Sequence, residues 1–199
     1  MVNLSFGIVA LGANLPGPSQ DLWNSLRSAL TILHEHRDIS ISSVSRFWRT
    51  PAYPAGSGPD FANAVAVVTS PLPPTALLAE LHKIEADFGR DRSTGRWSAR
   101  VLDLDLIALD GLIVPDAAML RDWIDLPPDQ QRRRAPDQLI LPHPRLQDRG
   151  FVLGPLAEIA PAWRHPLTGH DVARMLADLP PDAMDGMTPL NADDMGALA

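Results

Sequence analysis

Apolar residues crowd together in "FGIVAL", Phe6 to Leu11, and Gly12 ends the run, a pattern that predicts a short buried strand. Beyond a turn rich in proline and glycine the period lengthens. Leu22, Leu26, Ala29, Leu30 and Leu33 recur every three or four positions, which predicts a helix with Ser19 as its cap. "ISISSVSRFW" alternates and changes phase near Ser43, as a strand with a bulge or bend would. The loop "RTPAYPAGSGPD" then leads into a third strand, "FANAVAVV". Leu77, Leu81, Ile84 and Phe88 mark one face of a second helix, with Gly89 where a C-terminal cap belongs. A polar, arginine-rich loop follows, and "VLDLDLIAL" reads as the fourth strand.

Strand, helix, strand, strand, helix, strand is the order of the ferredoxin-like split βαβ unit. The fold class expected is therefore α+β, a ferredoxin-like βαββαβ core with helices on one face of its sheet. Residues 115–138, which include "PPDQQRRRAP", hold no sustained period and read as an inserted loop with one helical turn around Ala117 to Trp123. "LILPHPRL" is extended, because each proline biases its predecessor away from helix. "GPLAEIAP" and "GHDVARMLADL" predict two short helices. A single domain over residues 1–179 and a mobile tail over 180–199 complete the expected organisation.

Composition narrows the classes. Apolar residues make up 45% and charged residues 21%, ordinary globular usage, which excludes general disorder. Seventeen basic against 24 acidic residues leave a net charge of −7, which counts against a nonspecific grip on nucleic acid. With no cysteine, disulfides, thiolate nucleophiles and thiolate zinc sites are all excluded. No apolar run approaches the roughly 18 residues of a membrane span, and "MVNLSFGIVALG" carries no secretory pattern, so the location expected is cytoplasmic, away from membranes. Lys83 is the only lysine, so arginine identity by itself says little about function.

Chemistry concentrates in "RWSARVLDLDLIAL". In a strand, Leu102, Leu104 and Leu106 share one face while Asp103 and Asp105 share the other, their Cβ atoms roughly 6.6 Å apart. Aspartate is depleted in strands, and a buried unpaired carboxylate costs several kcal/mol. Two readings remain open for the pair: a face open to water, or a Mg²⁺ site completed by substrate phosphates. Arg90, Arg92, Arg96 and Arg100 lie immediately upstream. Arginines beside carboxylate-bound Mg²⁺ form the set that phosphoryl transfer uses, although a solvated charge run would look the same. There is no "GxxxxGK[ST]" loop.

"RWSARVLDLDLI", together with "VALGANL", "FWRTP", "DFANAV", "IEADFGRDR" and "LPHPRLQDRGFVLGPLAEIAP", resembles the 6-hydroxymethyl-7,8-dihydropterin pyrophosphokinases over about residues 6 to 165. The resemblance implies an enzyme that moves the pyrophosphoryl group of ATP onto a hydroxymethyl dihydropterin in folate synthesis. It implies that Asp103 and Asp105 hold two Mg²⁺ ions, and that Arg90 and Arg100 assist the transfer. Arg92 and Trp97 would lie in a mobile loop that closes over both substrates. Glu85, Arg92, Trp97, Arg100, Leu106, His143 and Arg149 match positions that contact ATP. Phe61 and Phe151 match an aromatic pair that sandwiches the pterin, Asn63 reads its polar edge, Thr50 and Pro51 offer backbone groups, and Trp97 belongs to the same pocket. Asn14 matches a structural asparagine near it.

Several positions depart from the family pattern. Ala13 replaces a common serine, Phe61 a frequent tyrosine, and Ser98 a glycine or alanine, while Gln138 stands where a basic residue can contact ATP. Two other classes fit part of the pattern. A noncatalytic small-molecule-binding domain would not need the aspartate pair and arginine loop together. A metal-dependent phosphoesterase or nuclease would use the same carboxylates, and the net charge counts against nucleic acid as its substrate. No protein partner is implied.

Overall fold

In a computed structural model of the chain, residues 3–15, 22–52, 58–89 and 101–191 are described. The elements run β1 (Ser5–Ala13), α1 (Leu22–Glu35), β2 (Ser40–Val44), β3 (Trp48–Thr50), β4 (Phe61–Ser70), α2 (Pro74–Asp87), β5 (Asp103–Leu109), α3 (Ala117–Ile124), α4 (Pro128–Arg133), α5 (Gly150–Ile159), α6 (Val172–Ala177) and β6 (Thr188–Pro189). A 3₁₀ turn, Leu146–Asp148, precedes α5.

The sheet is antiparallel in the order β5-β1-β4-β3-β6, with β2 pairing on β4 beside β3. The alternating run near Ser43 is thus two short strands, and the register shift between Ile41 and Ser43 matches the expected phase change. A second shift, between Ile8 and Val9, leaves Ile107 as an extra residue in β5. Proline opens α2, its fixed φ suited to a first turn, and Gly89 ends the segment at φ +82°, a conformation glycine adopts without a Cβ penalty. Ser19 and residues 53–57 of the loop after β3 lie outside the described residues.

Helices cover both faces of the sheet, not one. Trp23, Leu26, Ala29 and Leu33 of α1 and Leu77, Leu81 and Ile84 of α2 pack with Val9, Leu11, Ala64, Ala66 and Leu104. On the opposite face Val152, Leu153 and Leu156 of α5, with Val172 and Met175 of α6, pack with Ile8, Val65 and Ile107. This second core explains why β1 and β4 are apolar at nearly every position.

Two further expectations change. Residues 115–138 form two helices, α3 and α4, where one turn in a loop was expected. Asp116 caps α3 by accepting the Met119 N–H at 2.9 Å, and Leu120 is fully buried. Val114 and Leu141 exchange N–H···O bonds of 2.9 and 3.0 Å at the base of this excursion. Nor are residues 180–191 a loose tail: β6 pairs with β3, Leu190 is buried, and its N–H donates to the Phe47 carbonyl at 2.7 Å. Among the described residues no helix is long and apolar enough to cross a membrane.

Candidate active site

Strand alternation on β5 does what its pattern predicts. Leu102, Leu104 and Leu106 are at most 3% exposed in the first core, while Asp103 and Asp105 are partly exposed on the opposite face. That face is not simply open to water. Arg149, just before α5, donates from Nη1 to Asp105 Oδ2 at 3.2 Å, and its guanidinium carbon lies 5.6 Å from the centroid of the Phe151 ring. Both ends of the ion pair are partly exposed, so it offsets charge more than it stabilises the fold.

His143 joins them through the chain that returns from the insertion. Its N–H donates to the Ile107 carbonyl at 2.7 Å, and its Nδ1 accepts the Arg145 N–H at 3.0 Å. Burial first, then the Arg149 and Arg145 cations, hold this imidazole well below the ordinary histidine range, against weaker opposing effects that include Asp103. At neutral pH it is uncharged, with Nδ1 accepting and the proton therefore on Nε2.

The sheet register carries the same face toward β4. Asp103 lies opposite Gly12 of β1, Gly12 opposite Asn63 of β4, and Asn63 opposite Trp48 of β3. Asn63 is buried and its Nδ2 donates to Thr50 Oγ1 at 2.6 Å, a bond that fixes which way the amide faces. Phe61, two residues earlier on β4 and so on the same face, is paired in register with Thr50 and is only partly buried. Phe151 is likewise partly buried at the start of α5. Pro51 is exposed, and Gly186 packs so closely on it that a Cβ there would lie 2.8 Å from Pro51 Cγ.

Asp103, Asp105, His143, Arg149 and Phe151 therefore gather at one end of a face whose other end holds Thr50, Phe61 and Asn63. Two expected residues stand elsewhere. Leu106 turns its side chain into the first core, because it alternates with the aspartates, so only its backbone is left for a nucleotide. Glu85 is 1% exposed on α2, and its Oε1 accepts the Leu104 N–H at 2.8 Å. It holds β5 between the two aspartates instead of facing a ligand. Asn14 is buried. Arg90, Arg92, Arg96, Trp97, Ser98 and Arg100 lie outside the described residues.

The structure adds residues that the sequence did not single out. Arg145 fixes the His143 ring through its amide, for which the short His-Pro-Arg spacing was the available signal. Glu158 accepts from Arg46 N, Nε and Nη2 at 2.9, 3.0 and 2.8 Å and from Trp48 Nε1 at 3.1 Å, tying α5 to the strands beneath the site. No local pattern announces a contact spanning more than a hundred residues. Two partly exposed carboxylates on one strand face are a donor set that fits Mg²⁺, which takes one or two carboxylates when phosphates supply other ligands.

The family model described as 7,8-dihydro-6-hydroxymethylpterin-pyrophosphokinase (HPPK) matches residues 8–161. The 2-amino-4-hydroxy-6-hydroxymethyldihydropteridine pyrophosphokinase of Pseudomonas aeruginosa is 35% identical over 86% of this chain and 90% of its own length. Its Synechocystis counterpart is 34% identical over 85% of this chain and 73% of its own. The crystal structure of Plasmodium falciparum HPPK-DHPS wild type superposes with a TM-score of 0.62 at 14% identity, covering 88% of this chain and 44% of that one, a likeness of fold alone. With the family model spanning both strands that carry the aspartates and the aromatic residues, the chain belongs to the 7,8-dihydro-6-hydroxymethylpterin-pyrophosphokinase family.

Proposed function

We propose that this protein transfers the pyrophosphoryl group of ATP to the hydroxymethyl group of 6-hydroxymethyl-7,8-dihydropterin, releasing AMP, in tetrahydrofolate biosynthesis. The scaffold is a ferredoxin-like βαββαβ core, a reading that the β5-β1-β4-β3 strand order supports. The observation that carries the reaction is the placement of Asp103 and Asp105 on one face with Arg149 against Asp105, in register across Gly12 with Asn63.

Asp103 and Asp105 would hold Mg²⁺, two ions in this proposal, which would supply charge neutralisation at the phosphates and orient the attacking oxygen. Arg149, beside Asp105, would offer its guanidinium to ATP phosphate oxygens. Neutral His143 donates from Nε2 to the nucleotide without adding charge repulsion against the arginines. Phe61 and Phe151 stack on the flat pterin, and Asn63, oriented by Thr50, reads its polar edge. Arg90 and Arg100 neutralise charge that develops during transfer, with Arg92 and Trp97 closing on the substrates. In the step itself the hydroxymethyl oxygen attacks the β-phosphorus in line. A new O–P bond forms as the hydroxyl proton passes to solvent, the β-phosphorus bond to the oxygen bridging the α-phosphate breaks, and AMP departs with that oxygen. The substrates are small molecules, and the site needs neither nucleic acid nor membrane.

The test is a product assay with ATP, Mg²⁺ and 6-hydroxymethyl-7,8-dihydropterin that resolves AMP from ADP. AMP formed in step with pterin consumption is the expected result, ADP would mean a simple kinase, and no turnover by folded protein would return the chain to the ligand-binding class. Asp103→Ala and Asp105→Ala should each lower turnover by on the order of 10³-fold, since metal-stabilised charge in the transition state is worth several kcal/mol. Both variants should melt like the wild type. Near-normal turnover in either would remove that carboxylate from the metal site.

A further inference from the structure

Gly12 occupies a central strand, where glycine is less favourable than alanine. In a strand interior it commonly marks a place where a ligand or another backbone approaches closely. Its two lateral neighbours are Asp103 on β5 and Asn63 on β4. A Cβ built on Gly12 would lie 3.0 Å from Asn63 Oδ1 and 4.0 Å from Asp103 Cβ. The space directly above Gly12 is therefore bounded on one side by a side chain assigned to the pterin and on the other by one assigned to the metal. Two strand spacings of about 4.8 Å separate those neighbours, and Gly12 stands midway. Ala10, the next residue of β1 on this face, lies opposite Asp105 and is also small. β1 thus contributes a backbone floor between two walls of side chains.

Resting on the pyrophosphokinase reading, we infer that Gly12 is a substrate-positioning residue: its bare backbone is the floor over which the one-carbon arm of the pterin passes from the ring site at Asn63 to the metal site at Asp103. The missing side chain is what lets the attacking oxygen come down to the carboxylates while the ring remains in register with Asn63. A methyl group there meets the arm and Asn63 together. It separates ring binding from oxygen placement without touching the nucleotide.

The decisive measurement is an NMR spectrum of the wild-type complex with Mg²⁺, a nonhydrolysable ATP analogue and 6-hydroxymethyl-7,8-dihydropterin. A nuclear Overhauser contact between the hydroxymethyl protons and the Gly12 Hα is expected; its absence, with contacts from the ring to Phe61 or Phe151 present, would overturn the assignment. In parallel, Gly12→Ala should lose about 10²-fold in kcat/KM for the pterin, the scale on which misplacement by about 1 Å acts. Its affinity for a fluorescent ATP analogue with Mg²⁺ should stay within about twofold of wild type, a split that general loss of structure would not produce. Equal pterin kinetics in a folded Gly12→Ala variant would also overturn the assignment, and if that variant does not fold the NMR contact still decides. The two readings fail separately: wild type that makes no AMP sinks the pyrophosphokinase reading, whereas AMP from wild type and variant at equal rates sinks only the role of Gly12.

Discussion

His165 is 1% exposed, its Nδ1 accepts the Leu167 and Thr168 N–H groups at 3.2 and 3.4 Å, and among the described residues its buried Nε2 has no hydrogen-bond partner. Burial, and next the nearby His170, push its pKa down from 6.5 to about 4. A base with a depressed folded pKa contributes stability that is fully present above its unfolded pKa and drains away as the pH falls from about 6.5 to about 4, because only the unfolded chain takes up the proton. The shift corresponds to about 3 kcal/mol lost across that window. His165→Asn keeps an acceptor near the two amides and cannot titrate in this range, so its urea-unfolding free energy should fall less between pH 7 and pH 4 than that of wild type. Equal pH slopes for the two proteins would remove His165 as a source of acid sensitivity. Single residues were legible where local alternation decides their direction, as for Asp103 and Asp105. Glu85 was not, because what it faces depends on which element packs over it.

The contact of Glu85 with β5 belongs to the scale of elements. A buried carboxylate on α2 that accepts the Leu104 N–H anchors the strand at the residue between the two aspartates. Glu85→Ala should destabilise the protein by about 1–3 kcal/mol, the cost of leaving a buried amide donor unpaired. Glu85→Gln retains an acceptor and should recover much of that loss. Thermal melting checks both, and an unaltered melting temperature for Glu85→Ala would mean that another group replaces it as acceptor. Elements with several turns or a sustained period were readable, which is why α1, α2, β1, β4 and β5 stand where the pattern put them. Eight-residue α3 and six-residue α4 complete too few turns for a period to rise above the background. Their visible signals were an aspartate cap at Asp116 and a proline opening α4. The alternating segment after α1 gave away its bulge but not its division into β2 and β3, since both halves pair with the same strand, β4.

At the scale of the molecule, the last described residues close the β3 edge of the sheet and fill a groove on α5. A Cβ at Gly150 would lie 2.7 Å from Met184 Sδ, and one at Gly154 would lie 2.9 Å from Met184 Cε, so that methionine sits where those two glycines leave room. Deleting residues 181–199 uncovers this groove and the buried Leu190, whose side chain alone accounts for about 1.5–3 kcal/mol. At about 2–4 °C per kcal/mol for a chain of this size, the melting temperature should fall by roughly 3–12 °C. A deletion that melts with the full chain would mean that β6 and Leu190 contribute nothing to the fold. The proline-rich composition of this segment has no period of its own; its structure comes from pairing with β3, a partner about 140 residues earlier. The same separation of scales holds throughout. Local side-chain spacing, acting through backbone periods of two and 3.6 residues, was enough for the sequence by itself to determine the main strands and helices, the shared face of Asp103 and Asp105 and, through several motifs in one order, the family. Tertiary structure alone decided that helices cover both faces, that Glu85 is a buried strut, that the C-terminal segment joins the sheet, and that Gly12 lies between Asp103 and Asn63. Each of these depends on strand register and packing between distant segments, which no local period encodes.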